Sequence, residues 1–186
     1  MRGISPAVVI LAGFLAAVSW LMAQEGKRTP KYVGVEKCIS CHRADSLGNQ
    51  FRRWLGTPHS RSWVMLQMKK AREHAHGMGV EDPQKSLLCL KCHATAAEDT
   101  SLWYRSFHPE DGVQCEACHG PGSVHAELMM EQMEAGGEGV PEGAMLPKPK
   151  GEKFCLTCHQ GAPHPVEKFY YKKAWKRICH PLPKDR

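Results

Sequence analysis

Four copies of Cys-x-x-Cys-His punctuate this chain, at Cys38–His42, Cys89–His93, Cys115–His119 and Cys155–His159. Two cysteines three positions apart reach the two vinyl groups of one porphyrin and become thioethers. The histidine that follows places an imidazole nitrogen on the iron. Zinc sites also use Cys-x-x-Cys pairs, but zinc does not require a histidine directly after every pair. All four pairs here have one, so the pattern reads as four covalently bound haem c groups. Cys38, Cys41, Cys89, Cys92, Cys115, Cys118, Cys155 and Cys158 are the attachment residues, and His42, His93, His119 and His159 the proximal iron ligands.

Those motifs use eight of the nine cysteines and leave Cys179, so no disulfide framework is expected. Covalent haem attachment belongs to an exported compartment, and the N-terminus agrees. After Met1-Arg2, residues 3–24 carry no charge, and Ala7 to Val18 form an apolar core ahead of Ala23, a small residue suited to cleavage. The expectation is a signal peptide over 1–23. An uncleaved anchor is the alternative, because the uncharged run reaches the roughly 20 residues that span a bilayer. Residues 24–186 then form one tetrahaem domain of 163 residues. At about 41 residues per haem, the polypeptide cannot wrap each porphyrin in a core of its own. The haems must form much of the core and lie close together.

The formal net charge of +6 resembles a nucleic-acid signal, but four haems add roughly eight propionates, which bring the holoprotein near neutrality. No nucleic-acid partner is expected.

The first cysteines of the motifs lie 51, 26 and 40 residues apart, a repeat of sites and not of a structural unit. Leu47, Phe51, Trp54 and Leu55 recur at helical spacing. A second helix is predicted from about Ser60 to His76, stopping at Gly77. Residues 94–114 read as loop with a short extended piece around Trp103-Tyr104, and Ala126 to Ala135 as helix. The Gly- and Pro-rich stretch from Gly137 to Gly151 reads as surface loop. Tyr171, Trp175 and Ile178 mark a last helix after Pro165. The predicted fold is mainly α, small, helical and loop-rich, with little or no sheet.

Seven further histidines remain: His59, His74, His76, His108, His125, His164 and His180. A second imidazole on the opposite face of an iron must present a neutral nitrogen, its other nitrogen commonly donating to an oxygen. So many histidines in a short chain exceed surface decoration, and several are expected to be ligands. His180, after the Trp175–Ile178 stripe, is the candidate for the fourth haem, with His164 as its substitute. His164 lies five residues after His159 and between two prolines, which makes the opposite face of that haem hard to reach.

Trp54-x-x-Thr57-x-His59 and Gly112-Val113-x-Cys115-Glu116-x-Cys118-His119-Gly120-Pro121-Gly122, followed by His125, resemble the tetrahaem cytochrome c-554 family over most of residues 32–180. Its members are periplasmic electron carriers with three bis-histidine haems and, in the best known member, one five-coordinate haem at the second attachment site. The resemblance implies that His125 serves the haem at Cys38/Cys41 and His59 the haem at Cys115/Cys118.

For the second haem no motif nominates a partner to His93. His108, His74 and His76 are candidates, as are Met65, Met68 and Met78, and an open position is what the resemblance implies. Lys176 to His180 looks like a haem motif lacking its first cysteine, although a free thiol at Cys179, able to form an intermolecular disulfide, fits better. Met129, Met130 and Met133 read as packing against porphyrin.

The leading expectation is a periplasmic electron carrier working between redox partner proteins. Three alternatives stand beside it: a haem enzyme acting on small nitrogen oxides or hydroxylamine at an open second haem, with His108, Glu110 or Asp111 as acid–base groups; a membrane-anchored quinol dehydrogenase; and a subunit of a multihaem complex or filament.

Overall fold

Every haem motif closes its own helix. In the computed structural model, which describes residues 29–149 and 151–180, α1 spans Val35–His42, α2 Gln50–Leu55, α3 Ser62–Met65, α4 Lys69–Gly77 and α5 Leu87–His93. Then follow α6 at Cys115–His119, α7 at Ser123–Glu134, α8 at Glu152–His159 and α9 at Tyr171–Ile178. Helix geometry sets residues three apart on one face, so α1, α5, α6 and α8 each present two thiols side by side. The chain then leaves the helix directly after the histidine: Ala94 turns extended, and Gly120 takes φ 77°.

There is no sheet among the described residues. One parallel bridge joins Tyr32 to Trp103, held by Tyr32 N–H to Leu102 O and Tyr104 N–H to Tyr32 O, both at 2.8 Å. This is the extended piece expected around Trp103-Tyr104, and it sets the segment entering α1 against the loop before the third motif.

The predicted helix from Ser60 to His76 is two helices. Met68, at φ −64° and ψ 144°, breaks it so that Leu66 turns inward, 4% exposed. Ser62 Oγ also lies 2.8 Å from the carbonyls of His59 and His93, which fixes α3 independently of α4. The helix expected at Ala126 begins three residues earlier. Ser123 is tied to the N-terminal segment, its N–H donating to Lys31 O at 3.1 Å and its hydroxyl accepting from Lys31 N–H at 2.9 Å.

Few apolar side chains are buried among the described residues: Val33, Val35, Leu66, Ala75, Ala94, Phe107 and Ala144. Larger ones stay open, among them Leu55, Met65, Met68, Leu87, Met130 and Met133. A polypeptide core this thin cannot hold a domain of this length by itself. The fold is a small helical multihaem type in which porphyrins supply apolar volume. No helix among the described residues is long and apolar enough to cross a membrane. The leader or anchor expected over 1–23 lies outside the described residues.

Candidate multihaem site

Histidine rings face each other in pairs. His42 and His125 have ring centres 6.1 Å apart, His59 and His159 6.0 Å, His93 and His164 6.2 Å, and His119 and His180 5.8 Å. The closely stacked rings of His159 and Phe169 lie nearer, at 4.4 Å. Two imidazoles bound to opposite faces of one metal, through bonds of roughly 2 Å, have ring centres about 6 Å apart. Each pair contains one motif histidine, so the donor set fits one haem iron per pair.

The ring nitrogens are oriented to suit. Nδ1 of His93 is 2.9 Å from Ser62 O, that of His119 3.0 Å from Pro147 O, that of His125 2.8 Å from Ala144 O and that of His164 3.1 Å from Pro165 O. His42 Nδ1 lies 3.2 Å from Gln50 Oε1. A proton on Nδ1 leaves the Nε2 lone pair for a metal. Burial lowers the pKa of His42, His93, His119 and His159 and brings His59 down to about 4. Neutral imidazole, the form that ligates, is therefore favoured.

The marks on either side of the sequence explain how His59 is set. Thr57, buried, donates its hydroxyl to Trp54 O at 2.8 Å, and Trp54 Nε1–H donates to Val113 O at 2.8 Å. Val113 N–H in turn reaches His59 O at 3.0 Å. Trp54-x-x-Thr57-x-His59 is thus a hook that hangs from the Gly112-Val113 segment leading into the third motif.

The sequence partners are not all where the resemblance implies. His125 faces His42, as expected for the haem at Cys38/Cys41. His59 faces His159 and not His119, and His180 faces His119 and not His159. The two are exchanged because the ring pairing depends on how the C-terminal segment meets the earlier elements, which no local spacing encodes. Of the candidates for the second haem, His76 and His108 are exposed, with no facing ring among the described residues. His74 faces His164 at 6.2 Å.

The cysteines order the four sites. The Cys38 and Cys115 thiols lie within electrostatic reach of each other, as do Cys92 and Cys158. Cys118 lies within electrostatic reach of Cys155. The first motif thus adjoins the third, the third the fourth, and the fourth the second. Burial, with the Cys158 thiol adding to it, pushes Cys92 up to about 12, and burial pushes Cys118 up to about 11, so these two thiols stay protonated. Among the described residues no group of three or more His, Cys, Asp or Glu converges to hold a bare metal ion.

One anchor escaped the sequence reading. Glu116, inside the third motif, accepts from Val33 N–H at 2.9 Å, Gly34 N–H at 2.8 Å and Gly122 N–H at 2.7 Å. Burial pushes its carboxyl above the usual range, while those three donors pull the other way. Gln114 adds Val35 N–H at 2.7 Å. Together they fasten the start of α1 to α6 and hold the first and third motifs in register. The only sequence cue was a carboxylate between two haem cysteines.

Helix-terminal Cys-x-x-Cys-His motifs, facing imidazoles and a core short of apolar side chains define a multihaem c-type cytochrome with covalently bound haem c, four by its motifs. Comparisons agree. A family model described as "Cytochrome c554 and c-prime" matches residues 37–120. Cytochrome c-554 of Nitrosomonas europaea is 26% identical over 172 residues, covering 84% of this chain and 71% of that protein. Multiheme cytochrome MtrA of Shewanella baltica is 28% identical over 102 residues, covering 50% of this chain and 29% of that protein. The solved reduced cytochrome c554 of Nitrosomonas europaea superposes with a TM-score of 0.49 at 23% identity, over 81% of this chain and 79% of that one. The chain resembles the cytochrome c554 family, and like multihaem cytochromes in general it works with redox partners.

Proposed function

We propose that this protein is a periplasmic electron carrier, a single tetrahaem domain over residues 24–186 that is exported behind the segment 1–23 and released by cleavage after Ala23. The facing imidazole pairs carry the reading. In it, Cys38/Cys41, Cys89/Cys92, Cys115/Cys118 and Cys155/Cys158 hold the haems and His42, His93, His119 and His159 are proximal ligands. His125 completes the first site, His180 the third and His59 the fourth. Haem c supplies reversible one-electron chemistry at iron.

The protein's own residues do the rest. Two imidazoles per iron, each held through Nδ1 or by packing, keep the same ligands in both oxidation states, so little need rearrange when an electron arrives or leaves. Histidine in place of methionine also favours lower potentials. The cysteine contacts set the attachment sites in one file, first–third–fourth–second, with the first and second motifs at its ends. A file with two ends suits a carrier that meets one partner at each.

Electron paramagnetic resonance on the oxidised, exported holoprotein tests this. The expected result is low-spin iron at the first, third and fourth sites, four haems by mass, and an N-terminus at Gln24. Apoprotein mass, or bound zinc, would remove the reading. A mature N-terminus at Met1 would replace the soluble carrier with an anchored quinol dehydrogenase.

A further inference from the structure

His164 follows the fourth motif, yet its ring faces the second. We infer that His164 is the distal ligand of the haem at Cys89/Cys92, closing the coordination position that the family resemblance would leave open. The inference rests on the haem-attachment reading above and extends it to the one site that motifs leave unassigned.

Three observations converge on it. The ring centres of His93 and His164 are 6.2 Å apart, the spacing found at the three other pairs. His93 is fixed by its Nδ1 contact to Ser62 O, and His164 Nδ1 lies 3.1 Å from Pro165 O, so each turns Nε2 away from its carbonyl, as at His119 and His125. The chain also explains the reach. Five residues after His159, a tether cannot pass around its own porphyrin. Pro163 and Pro165 restrict the backbone on both sides of His164, where the chain bends, and Cys158 lies within electrostatic reach of Cys92, which puts the second motif alongside. The neighbouring haem is the one within range.

His74 is the competing ring, since it too lies 6.2 Å from His164. A haem between those two would have neither a proximal motif histidine nor a cysteine pair. The gap between His93 and His164 has both. An iron closed on both faces has no position for nitric oxide or hydroxylamine, which turns this site from catalysis to electron storage.

The test uses the exported four-haem protein. Wild type is expected to show all four irons low-spin when oxidised and to bind no carbon monoxide when reduced. His164→Ala should make one iron in four high-spin and gain one bound carbon monoxide per chain. His164→Met should stay low-spin while adding the far-red sulfur-to-iron band at one haem and raising one of four potentials. His74→Ala should leave the spectra as in wild type. A high-spin iron in wild type, a His164→Ala protein that stays fully low-spin, or a His74→Ala protein that opens a haem would each overturn the assignment. Haem content separates the two failures. Four haems with a high-spin wild type sinks only His164, whereas fewer than four sinks the attachment reading itself.

Discussion

Residues 29–149 and residues 151–180 are built on different principles. In the longer region, backbone and side chain bind each other across long sequence separations: Glu116 to Val33 and Gly34, Gln114 to Val35, Trp54 to Val113, Tyr32 to Leu102. In the C-terminal region, α8 and α9 make no backbone-to-backbone hydrogen bond to the rest of the chain among the described residues. Their ties include His159 facing His59, His164 facing both His93 and His74, His180 facing His119, Cys158 near Cys92, Cys155 near Cys118, and α9 packed on α2. The first region is a polypeptide that recognises itself. The second is an arm that meets the body chiefly where irons are to be shared. Three of the four facing histidine pairs take one ring from each region, so under the proposed ligation haem insertion and docking of the arm are coupled.

The largest effect should come from deleting a shared site. Cys155→Ser with Cys158→Ser removes one haem and should free the arm. Proteolysis within 137–151 is then expected to accelerate by about tenfold or more, the factor equivalent to ~1.4 kcal/mol of lost docking. The body should keep three haems and its other cleavage rates. Loss of the body's structure to the same extent would break the comparison.

Glu116→Ala attacks the body instead. It strands three backbone N–H groups in a buried place, at a cost on the order of 3 kcal/mol in a denaturant titration of the holoprotein. Glu116→Gln, which keeps an acceptor but turns an amine towards one donor, should lose about half as much. If proteolysis of the arm responded more strongly than the global midpoint, the division of labour would be wrong.

Gly112 lies in the body, packed against the backbone of His59 behind the seam where that ring faces the arm's His159. Its φ is +76°, and a Cβ there would stand 2.5 Å from Ser62 Oγ and 2.6 Å from His59 O. Gly112→Ala should cost about 2 kcal/mol and shift the low-spin signal of the iron between His59 and His159 while sparing the one between His42 and His125. An equal shift at both would show that the seam is not local.

The smallest effect is expected at Cys179, exposed at the end of α9 with its thiol 3.9 Å from His180 O. Cys179→Ser should leave haem mass at four and the denaturation midpoint unchanged. The loss of one haem would instead reveal an attachment at this single cysteine.

Much of this was legible in the chain because it is local. Haem number, a helical fold without a sheet among the described residues, and the shortage of apolar core follow from Cys-x-x-Cys-His spacing, helical periodicity and the residues available per haem. Trp54-x-x-Thr57-x-His59 was visible as a pattern, although its hook onto Val113 was not. The break at Met68 was hidden because the helical pattern around it continues on both sides, and the inward turn of Leu66 depends on neighbours distant in sequence.

By itself, then, the sequence determined the chemistry: which side chains bind porphyrin, how many porphyrins there are, and that imidazole was plentiful enough to meet iron from both sides. Those facts live within five consecutive residues or in a simple count. Which imidazole faces which motif histidine was decided by the tertiary structure alone. His59, His164 and His180 reach their partners across 100, 71 and 61 residues of chain, and nothing in their local context distinguishes one porphyrin face from another. That choice belongs to the path of the arm over the body, which only the packed molecule specifies.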